Sequence, residues 1–240
     1  MISENKTIFF DLDDTLYFRR DAFFAAFEEF FQSHKSLFPQ EAHLIKSKAS
    51  DCCRIRGDEV FFQCQKGEIS TEEMYVYRFT KGFGDVGIKI TESQALEFYA
   101  LYKKALYEMK LNPEVVRMLD FAKSHFKRLG IMTNGESDHQ RNKIKTLGLE
   151  KWISPELIVI SGEHGYPKPE KRLFEIAREK ACAQTDELVI IGDSFQNDIL
   201  PAHTLGWHTI WINLYGEDFK APEFEVKDVK EIPKILEKLA

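Results

Sequence analysis

The chain has 240 residues, of which 43% are hydrophobic and 30% are charged, and its formal net charge is −6. The hydrophobic content is sufficient for a buried core, and the excess of acidic residues argues against a nucleic-acid-binding surface. No apolar run approaches the roughly 20 residues of a membrane span, and the four cysteines show no Cys-x-x-Cys spacing. We therefore expect a cytoplasmic protein with reduced thiols, with neither a membrane nor a nucleic acid as its partner.

The first predicted element is a strand at residues 8–10. This Ile-Phe-Phe run is typical of a parallel strand with both faces buried, and it starts too early to leave room for a signal peptide. The run is followed by Asp11 and Asp13. Because side chains alternate along an extended chain, these two project to the same side, about 6–7 Å apart at Cα. Carboxylates this close repel, and a bound cation or a shared proton is the usual remedy.

No convincing strand is predicted between residue 17 and about residue 109. Ser70 or Thr71 can cap one helix, because acidic residues follow in its first turn. The helical segments predicted in this region are residues 17–31, 39–56, 59–65, one that begins at 71, and about 92–109. We therefore expect an all-helical domain at residues 17–112.

After Pro113 the pattern changes to alternating helices and strands. The predicted helices are residues 114–125, 140–147, 169–180, 198–205 and 229–239. The third of these is predicted to begin at Pro169, because a proline is tolerated at the first position of a helix. The predicted strands are residues 126–132, 157–160, 188–191 and 207–212. Such alternation implies an α/β fold, a Rossmann-like three-layer core with a parallel sheet and right-handed crossovers. Its predicted extent is residues 1–16 and 113–240.

Polar residues follow the predicted strands at the points where they end. These residues are Asp11, Asp13, Thr133, Asn134, Ser161 and Asp193. In parallel sheets, ligands bind beyond the carboxyl ends of the strands, so we expect these side chains to share one rim. The helical domain is inserted between the first and second strands. We therefore expect it to emerge beside this rim and to act as a cap.

Four short motifs resemble those of the haloacid dehalogenase (HAD) superfamily of phosphohydrolases. Residues 11–15, Asp-Leu-Asp-Asp-Thr, are similar to the first signature, Asp-x-Asp-x-Thr. Residues 131–135, Ile-Met-Thr-Asn-Gly, resemble the second, a strand that ends in Thr or Ser. Residues 162–169 resemble the segment that carries the lysine of the third, and residues 190–198 resemble the fourth, an acidic pair after a glycine. The motifs occur in the expected order, and many members have a helical cap after the first.

This resemblance implies a role for each of six residues in phosphate-ester hydrolysis. Asp11 would be the nucleophile that forms an aspartyl-phosphate. Asp13 would protonate the leaving alcohol and then activate the attacking water. Lys168 and the Thr133 hydroxyl would stabilise charge on the phosphoryl oxygens, together with the N–H of Asn134. Gly135, in the same turn, would also bind the substrate.

The resemblance also implies Mg²⁺ as the cofactor, because a cation offsets the repulsion between clustered carboxylates and a phosphate dianion. Its ligands would be the carboxylate of Asp11, the backbone carbonyl of Asp13 and the carboxylate of Asp193. Asp198 would not bind the metal directly. It would orient a metal-bound water or Lys168.

Other functions fit parts of this pattern. A phosphosugar or phosphoglycolate phosphatase, or a phosphomutase, would also keep Asp13 and would differ in the cap. A 2-haloacid dehalogenase would lack this acid, because displacement of a halide needs no proton on the leaving group. A receiver-like phosphorylation switch would be about half as long and would lack the helical insertion. An inactive binding protein would have no reason to keep all four motifs.

The sequence of the predicted cap leads to an expectation about the class of substrate. Residues 61–73, with a Lys-Gly-Glu-Ile turn, resemble the cap of the pyrimidine 5′-nucleotidase-like subgroup. Aromatic residues that could stack on a base, or form the core of the cap, are Phe18, Phe24, Phe61, Phe62 and Tyr75. Basic residues that could meet an anionic substrate, or form a solvated face, are Lys46, Lys48, Arg54 and Arg56. We expect a small phosphorylated metabolite as substrate, a nucleoside 5′-monophosphate in particular, and a monomer or homodimer.

Overall fold

The computed structural model describes residues 3–39, 42–220 and 223–239. The chain forms two compact units, and the first, Met1–Phe18 with Lys110–Ala240, contains the sheet. The second, Arg19–Met109, is helical in its described residues. These limits differ by a few residues from the predicted ones. No helix in the described part of the chain is long and apolar enough to cross a membrane.

Four helices form the second unit, which we call the helical unit, in the described residues. They are α1 Arg19–Ser33, α2 Ala42–Gln65, α3 Thr71–Asp85 and α4 Glu92–Tyr107. Ser70 caps α3: its hydroxyl accepts from the Glu73 N–H at 3.1 Å, and its own N–H donates to Glu73 Oε2 at 2.8 Å. The core of the unit is a set of buried phenylalanines, Phe23, Phe27, Phe30, Phe79, Phe83 and Phe98. Three of these phenylalanines, Phe23, Phe27 and Phe30, lie on α1, so this helix contributes its aromatic face to the core.

The first unit, which we call the α/β unit, is built on a sheet of six parallel strands in the described residues. They are β1 Ser3–Phe10, β2 Phe126–Thr133, β3 Ile158–Ile160, β4 Leu188–Gly192, β5 His208–Ile212 and β6 Phe224–Val226. Their order is β3-β2-β1-β4-β5-β6, with helices on both faces. The helices of this unit are α5 Pro113–His125, α6 Ser137–Thr146, α7 Ser161–His164, α8 Lys171–Ala181, α9 Leu200–Thr204 and α10 Ile232–Leu239. The predicted α/β fold is confirmed.

The strand order places a natural binding position at the middle of the sheet. The chain runs outward from β1 through β2 to β3 on one side, and from β4 through β5 to β6 on the other. In such sheets, ligands bind at the carboxyl ends where the strand order reverses, here between β1 and β4. Phe10 is paired with Ile191 at this point, and the Asp11 N–H donates to the Ile191 carbonyl at 2.8 Å. Asp11 therefore leaves the sheet at its centre.

Two predictions in the helical unit are wrong in their limits. The helices predicted at residues 39–56 and 59–65 are one helix, α2, because Gly57 does not interrupt it. Residues 40 and 41 of that prediction lie outside the described residues. The first helix begins at Arg19 rather than Tyr17, since Tyr17 forms an isolated bridge with Asp13.

Two predictions in the α/β unit also need correction, and one strand was missed. Pro169 is not the first residue of a helix: the Glu170 N–H bonds to the Pro167 carbonyl at 2.8 Å, and α8 begins at Lys171. A π-helical turn, Phe195–Ile199, precedes α9, where a single helix was predicted. The strand β6 was not predicted, because its three residues are too few to show an alternating pattern.

Candidate active site

Three carboxylates meet at the carboxyl ends of β1 and β4. Asp11 follows β1, Asp193 follows β4, and Asp198 lies in the π-helical turn after it. One oxygen atom from each lies within 4.8 Å of those from the other two. Asp11 and Asp198 are buried, and Asp193 is half-buried. The structure thus brings Asp11 of the first motif together with Asp193 and Asp198 of the fourth.

Lys168 lies between two of these carboxylates. Its Nζ donates to Asp11 Oδ1 at 2.6 Å, to Asp198 Oδ1 at 2.5 Å and to the Met132 carbonyl at 3.0 Å. Its side chain is only 3% exposed. Burial alone would lower the pKa of Lys168, but the carboxylates of Asp11 and Asp198 outweigh it and raise the pKa. Lys168 is therefore a fixed positive charge at the base of the site.

The pKa of Asp11 is raised from its ordinary value of 3.8 to about 7. Burial is the main cause; Lys168 opposes the shift, and the neighbouring Asp198 and Asp13 reinforce it. The ammonium group of Lys168 therefore does not fully offset the effect of burial on the Asp11 carboxylate. A further cation beside Asp11 would favour its ionised form.

The local backbone explains the position of Asp198. Its Oδ2 accepts from the Ser194 N–H at 3.2 Å, while Oδ1 is bound to Lys168. A Cβ atom at Gly192 would lie 2.5 Å from Asp198 Oδ2, so the glycine of the fourth motif is needed for this close approach. Since both oxygens have partners in the protein, Asp198 acts on Lys168 and on the loop.

The side chain of Asn134 binds the backbone of Lys168 and so holds it in position. Asn134 Oδ1 accepts from the Lys168 N–H at 2.8 Å, and Asn134 Nδ2 donates to the Lys168 carbonyl at 2.9 Å. Gly135 follows with a φ of 144°, and its N–H donates to Ser161 Oγ at 3.0 Å. A substrate contact through the Gly135 N–H would have to replace this bond. The roles of Asn134 and Gly135 in substrate binding stay predictions.

Thr133 and Asp13 are linked through Gln140, which the sequence did not single out. Thr133 ends β2 and is buried. Gln140 Nε2 lies 2.6 Å from Thr133 Oγ1, 2.8 Å from Asp13 Oδ2 and 3.0 Å from the Asn134 carbonyl. These three acceptors share the two N–H groups of one amide. Gln140 therefore connects the first and second motifs.

Two further residues bind the other oxygen of Asp13. Lys143 Nζ donates to Asp13 Oδ1 at 2.7 Å, and the Tyr17 hydroxyl donates to the same atom. Lys143 and Gln140 lie on one buried face of α6, together with Ile144. Polar residues at core-facing positions of a helix are the signal that could have identified them.

The carboxylates fit a hard divalent cation such as Mg²⁺, which prefers oxygen ligands. Asp11 and Asp193 present carboxylate oxygens close to each other at the end of the sheet. The pKa of Asp11 is raised chiefly by burial and further by Asp198 and Asp13, and a cation beside Asp11 would oppose this shift. Lys168 supplies a single positive charge to three carboxylates, so a divalent cation would balance the remaining negative charge.

The family model described as haloacid dehalogenase-like hydrolase matches residues 8–212. N-acylneuraminate-9-phosphatase from Rattus norvegicus is 26% identical over 99% of this chain and 96% of its own length. Phosphoserine phosphatase from Thermus thermophilus is 35% identical over 51% of this chain, and the match spans about half (49%) of that relative. Pyrimidine 5′-nucleotidase YjjG from Escherichia coli is 32% identical over 52% of this chain and 56% of its own length.

Solved structures share the fold. The HAD-hydrolase YfnB from Bacillus subtilis, solved bound to magnesium, aligns with a TM-score of 0.73 at 20% identity, over 98% of this chain and 99% of that one. The L-2-haloacid dehalogenase RSc1362 aligns with a TM-score of 0.72 at 16% identity, over 98% of this chain and 100% of that one. At these identities the likeness extends to the fold alone.

Proposed function

Because the chain belongs to the family of haloacid dehalogenase-like hydrolases, we propose that it is a magnesium-dependent phosphatase that hydrolyses a small phosphomonoester through an aspartyl-phosphate. One observation carries this proposal: Lys168 Nζ bridges Asp11 Oδ1 and Asp198 Oδ1, beside Asp193, at the centre of the sheet. A buried lysine among carboxylates provides fixed positive charge where a phosphoryl group would bring negative charge.

Asp11 is the nucleophile in this proposal. An oxygen of its carboxylate forms a bond to phosphorus while the bond from phosphorus to the ester oxygen breaks, and water later hydrolyses the acyl-phosphate. Lys168 holds Asp11 in place and, with Thr133, stabilises the charge on the phosphoryl oxygens. Asp198 and Asn134 act through Lys168, the first on its ammonium group and the second on its backbone.

Asp13 is the proton donor and acceptor. It gives a proton to the departing alcohol oxygen in the first step and takes one from the attacking water in the second. After donation, Lys143 compensates the carboxylate charge, while Tyr17 and Gln140 hold both oxygens in position. A dehalogenase would need none of this, so Asp13 and its partners favour an oxygen leaving group.

Mg²⁺ would be held by the carboxylates of Asp11 and Asp193 and by the backbone carbonyl of Asp13. When bound, it neutralises negative charge on the phosphoryl group and orients it. The magnesium in the structure of YfnB supports this choice of metal. So do the oxygen ligands themselves.

A nucleoside 5′-monophosphate is our first candidate substrate, supported by the likeness of residues 61–73 and by the similarity to YjjG. Phe62, which is 40% exposed, is the better candidate to stack on a base, and Phe61 beside it is half-buried. Tyr75 is unsuitable: it is buried, with its ring stacked on that of Tyr99 at 3.8 Å between centroids. A phosphorylated sugar acid is the second candidate, favoured by the nearly full-length match to N-acylneuraminate-9-phosphatase.

Phosphate release over a panel of monoesters, with magnesium and with EDTA, tests both levels of the proposal. The panel is UMP, dUMP, AMP, FMN, glucose 6-phosphate, phosphoglycolate, phosphoserine and N-acylneuraminate 9-phosphate. We expect magnesium-dependent hydrolysis, with the highest kcat/KM for a nucleotide. A tenfold preference for any other ester over every nucleotide would refute the nucleotidase assignment and leave the phosphatase chemistry standing. No magnesium-dependent release from any ester would refute both.

A further inference from the structure

The helical unit contains a buried cation that differs from the two buried cations of the active site. Among the described residues, the buried lysine and arginine side chains are Arg78, Lys143 and Lys168. Lys143 and Lys168 each bind a carboxylate. Arg78, on α3, is 9% exposed and makes no hydrogen bond or ion pair with any described residue, and its Nε is buried without a partner.

The fold makes room for this side chain and surrounds it with aromatic rings. Its guanidinium carbon lies 5.7 Å from the ring centroid of Tyr75, 5.6 Å from that of Phe79 and 5.4 Å from that of Tyr102. A Cβ atom at Gly57 of α2 would lie 3.0 Å from Arg78 Cδ, so a larger residue there would crowd the arginine. Cation–π contacts on several sides keep a guanidinium charged and oriented while leaving its N–H donors unused.

Burial alone would lower the pKa of Arg78, but the neighbouring Tyr102 and Tyr75 outweigh it and raise the pKa, so the guanidinium stays charged. The ionisable groups that act on it most strongly are Tyr102, Tyr75, Arg19 and Cys53, and none of them is a carboxylate. Burial raises the pKa of Cys53 to about 12, so this thiol is neutral at physiological pH.

Four acidic residues on α2 and α3 form ion pairs with arginines other than Arg78. Asp51 binds Arg20 at 2.8 Å, and Asp58 binds Arg54 at 3.3 Å. Asp85 and Glu59 bind Arg56, each at 2.8 Å. Arg54 and Arg56, two of the four basic residues that the sequence suggested for contact with an anion, are thus engaged in ion pairs. Arg78 makes no such ion pair with a described residue.

We propose that Arg78 forms an anion-binding subsite of the helical unit for the planar oxygens of a carboxylate or for a phosphate. A guanidinium presents its N–H groups as a fork that matches two such oxygens. Burying a charge without a partner is unfavourable, and an oxyanion bound to Arg78 removes that penalty. This site lies within the helical unit and does not depend on hydrolysis at Asp11.

NMR titration of the whole protein tests this proposal directly. The Arg78 Nε–Hε signal, assigned through bonds in the wild type, is followed while sodium acetate, sodium phosphate or sodium chloride is added at equal ionic strength. We expect a saturable shift with acetate, with phosphate or with both, and only a small, non-saturating shift with chloride. The two oxyanion titrations distinguish a carboxylate ligand from a phosphate ligand. Shifts no larger or more saturable than those with chloride would overturn the proposal.

Two matched variants separate this site from general salt effects. Arg78→Met removes the charge and keeps a flexible apolar stem, whereas Arg56→Met removes a charge already paired with Asp85 and Glu59 in the same unit. Followed on backbone amides of α3, the dissociation constant should rise at least about tenfold in Arg78→Met and stay unchanged in Arg56→Met. Undiminished binding in a folded Arg78→Met would contradict the proposal. The wild-type titration decides even if that variant does not fold.

Discussion

Lys143 Nζ lies 2.7 Å from Asp13 Oδ1, and the lysine side chain is only 5% exposed. Asp13 is the acid predicted from the first motif, yet Lys143 comes from α6, 130 residues later in the chain. The same carboxyl group also accepts from Tyr17 and Gln140. The proton donor of the proposed reaction is therefore held by three residues outside the motif.

Lys143→Met should slow the hydrolysis of esters with poor leaving groups. Without the ammonium group, the carboxylate that Asp13 becomes after donating its proton is less stable. We expect kcat/KM for alkyl phosphates to fall about tenfold to a hundredfold, less than the 10²–10⁴ attributed to general acid catalysis itself. Aryl phosphates, which need little protonation, should be affected less. Lys145→Met, at an exposed position of the same helix, is the control. Equal losses for both ester classes would contradict this role.

Asp13→Asn and Lys168→Met should differ in their dependence on the leaving group. Asp13→Asn removes the acid, so it should suppress alkyl phosphates far more than aryl phosphates. Lys168→Met removes a charge that acts on the phosphoryl oxygens, so both classes should lose about 10²–10³ in kcat. Steady-state kinetics with both ester classes checks this, after circular dichroism has verified the fold. The same leaving-group dependence in both variants would exclude Asp13 as the acid.

Removal of one metal ligand should weaken magnesium activation selectively. Asp193→Ala should raise the magnesium concentration needed for half-maximal phosphate release, because it deletes a carboxylate ligand. Asp198→Ala should lower kcat at saturating magnesium, because its two oxygens bind Lys168 and the Ser194 N–H. Calcium should replace magnesium poorly in the wild type, since its coordination shell is larger and looser. Full activity of the wild type in EDTA would rule out the metal.

Asp11 should make the metal-free protein less stable as the pH rises. Its pKa in the folded protein, about 7, lies above the ordinary value of 3.8, so the folded state binds the proton more tightly than the unfolded chain. The stabilising contribution is fully present below about pH 4 and is lost as the pH rises through about 7. Relative to Asp11→Asn, we expect the wild-type free energy of unfolding to fall by up to about 1.4 kcal/mol per pH unit in that window. Urea unfolding in EDTA measures it, and parallel pH profiles would contradict it.

The residues that follow strands were predictable, because the end of an apolar run locates them. Asp11, Thr133 and Asp193 were found in this way, and the predicted family and α/β fold are confirmed. The partners of Asp13 were not found, since the side of α6 that faces the site depends on packing. In the structure, Gln140 and Lys143 are buried beside Ile144, which identifies the side of α6 that faces the core.

The position of Gly57 in the helical unit also depends on packing that the sequence does not show. From the sequence, one helix was predicted to end at residue 56 and the next to begin at residue 59, so that Gly57 lay between them. In the structure it lies inside α2, where the missing side chain leaves space for Arg78 of α3. A contact between two helices thus overrides the local preference of one residue. The sequence alone cannot show which neighbour takes that space.

The most direct test of the proposed reaction is phosphate release by Asp11→Asn, with magnesium and the best ester of the panel. The amide is nearly isosteric with the carboxylate, and it cannot form the acyl-phosphate. We therefore predict a folded protein whose rate falls to background. Retention of about a tenth of the wild-type rate or more would contradict nucleophilic catalysis by Asp11.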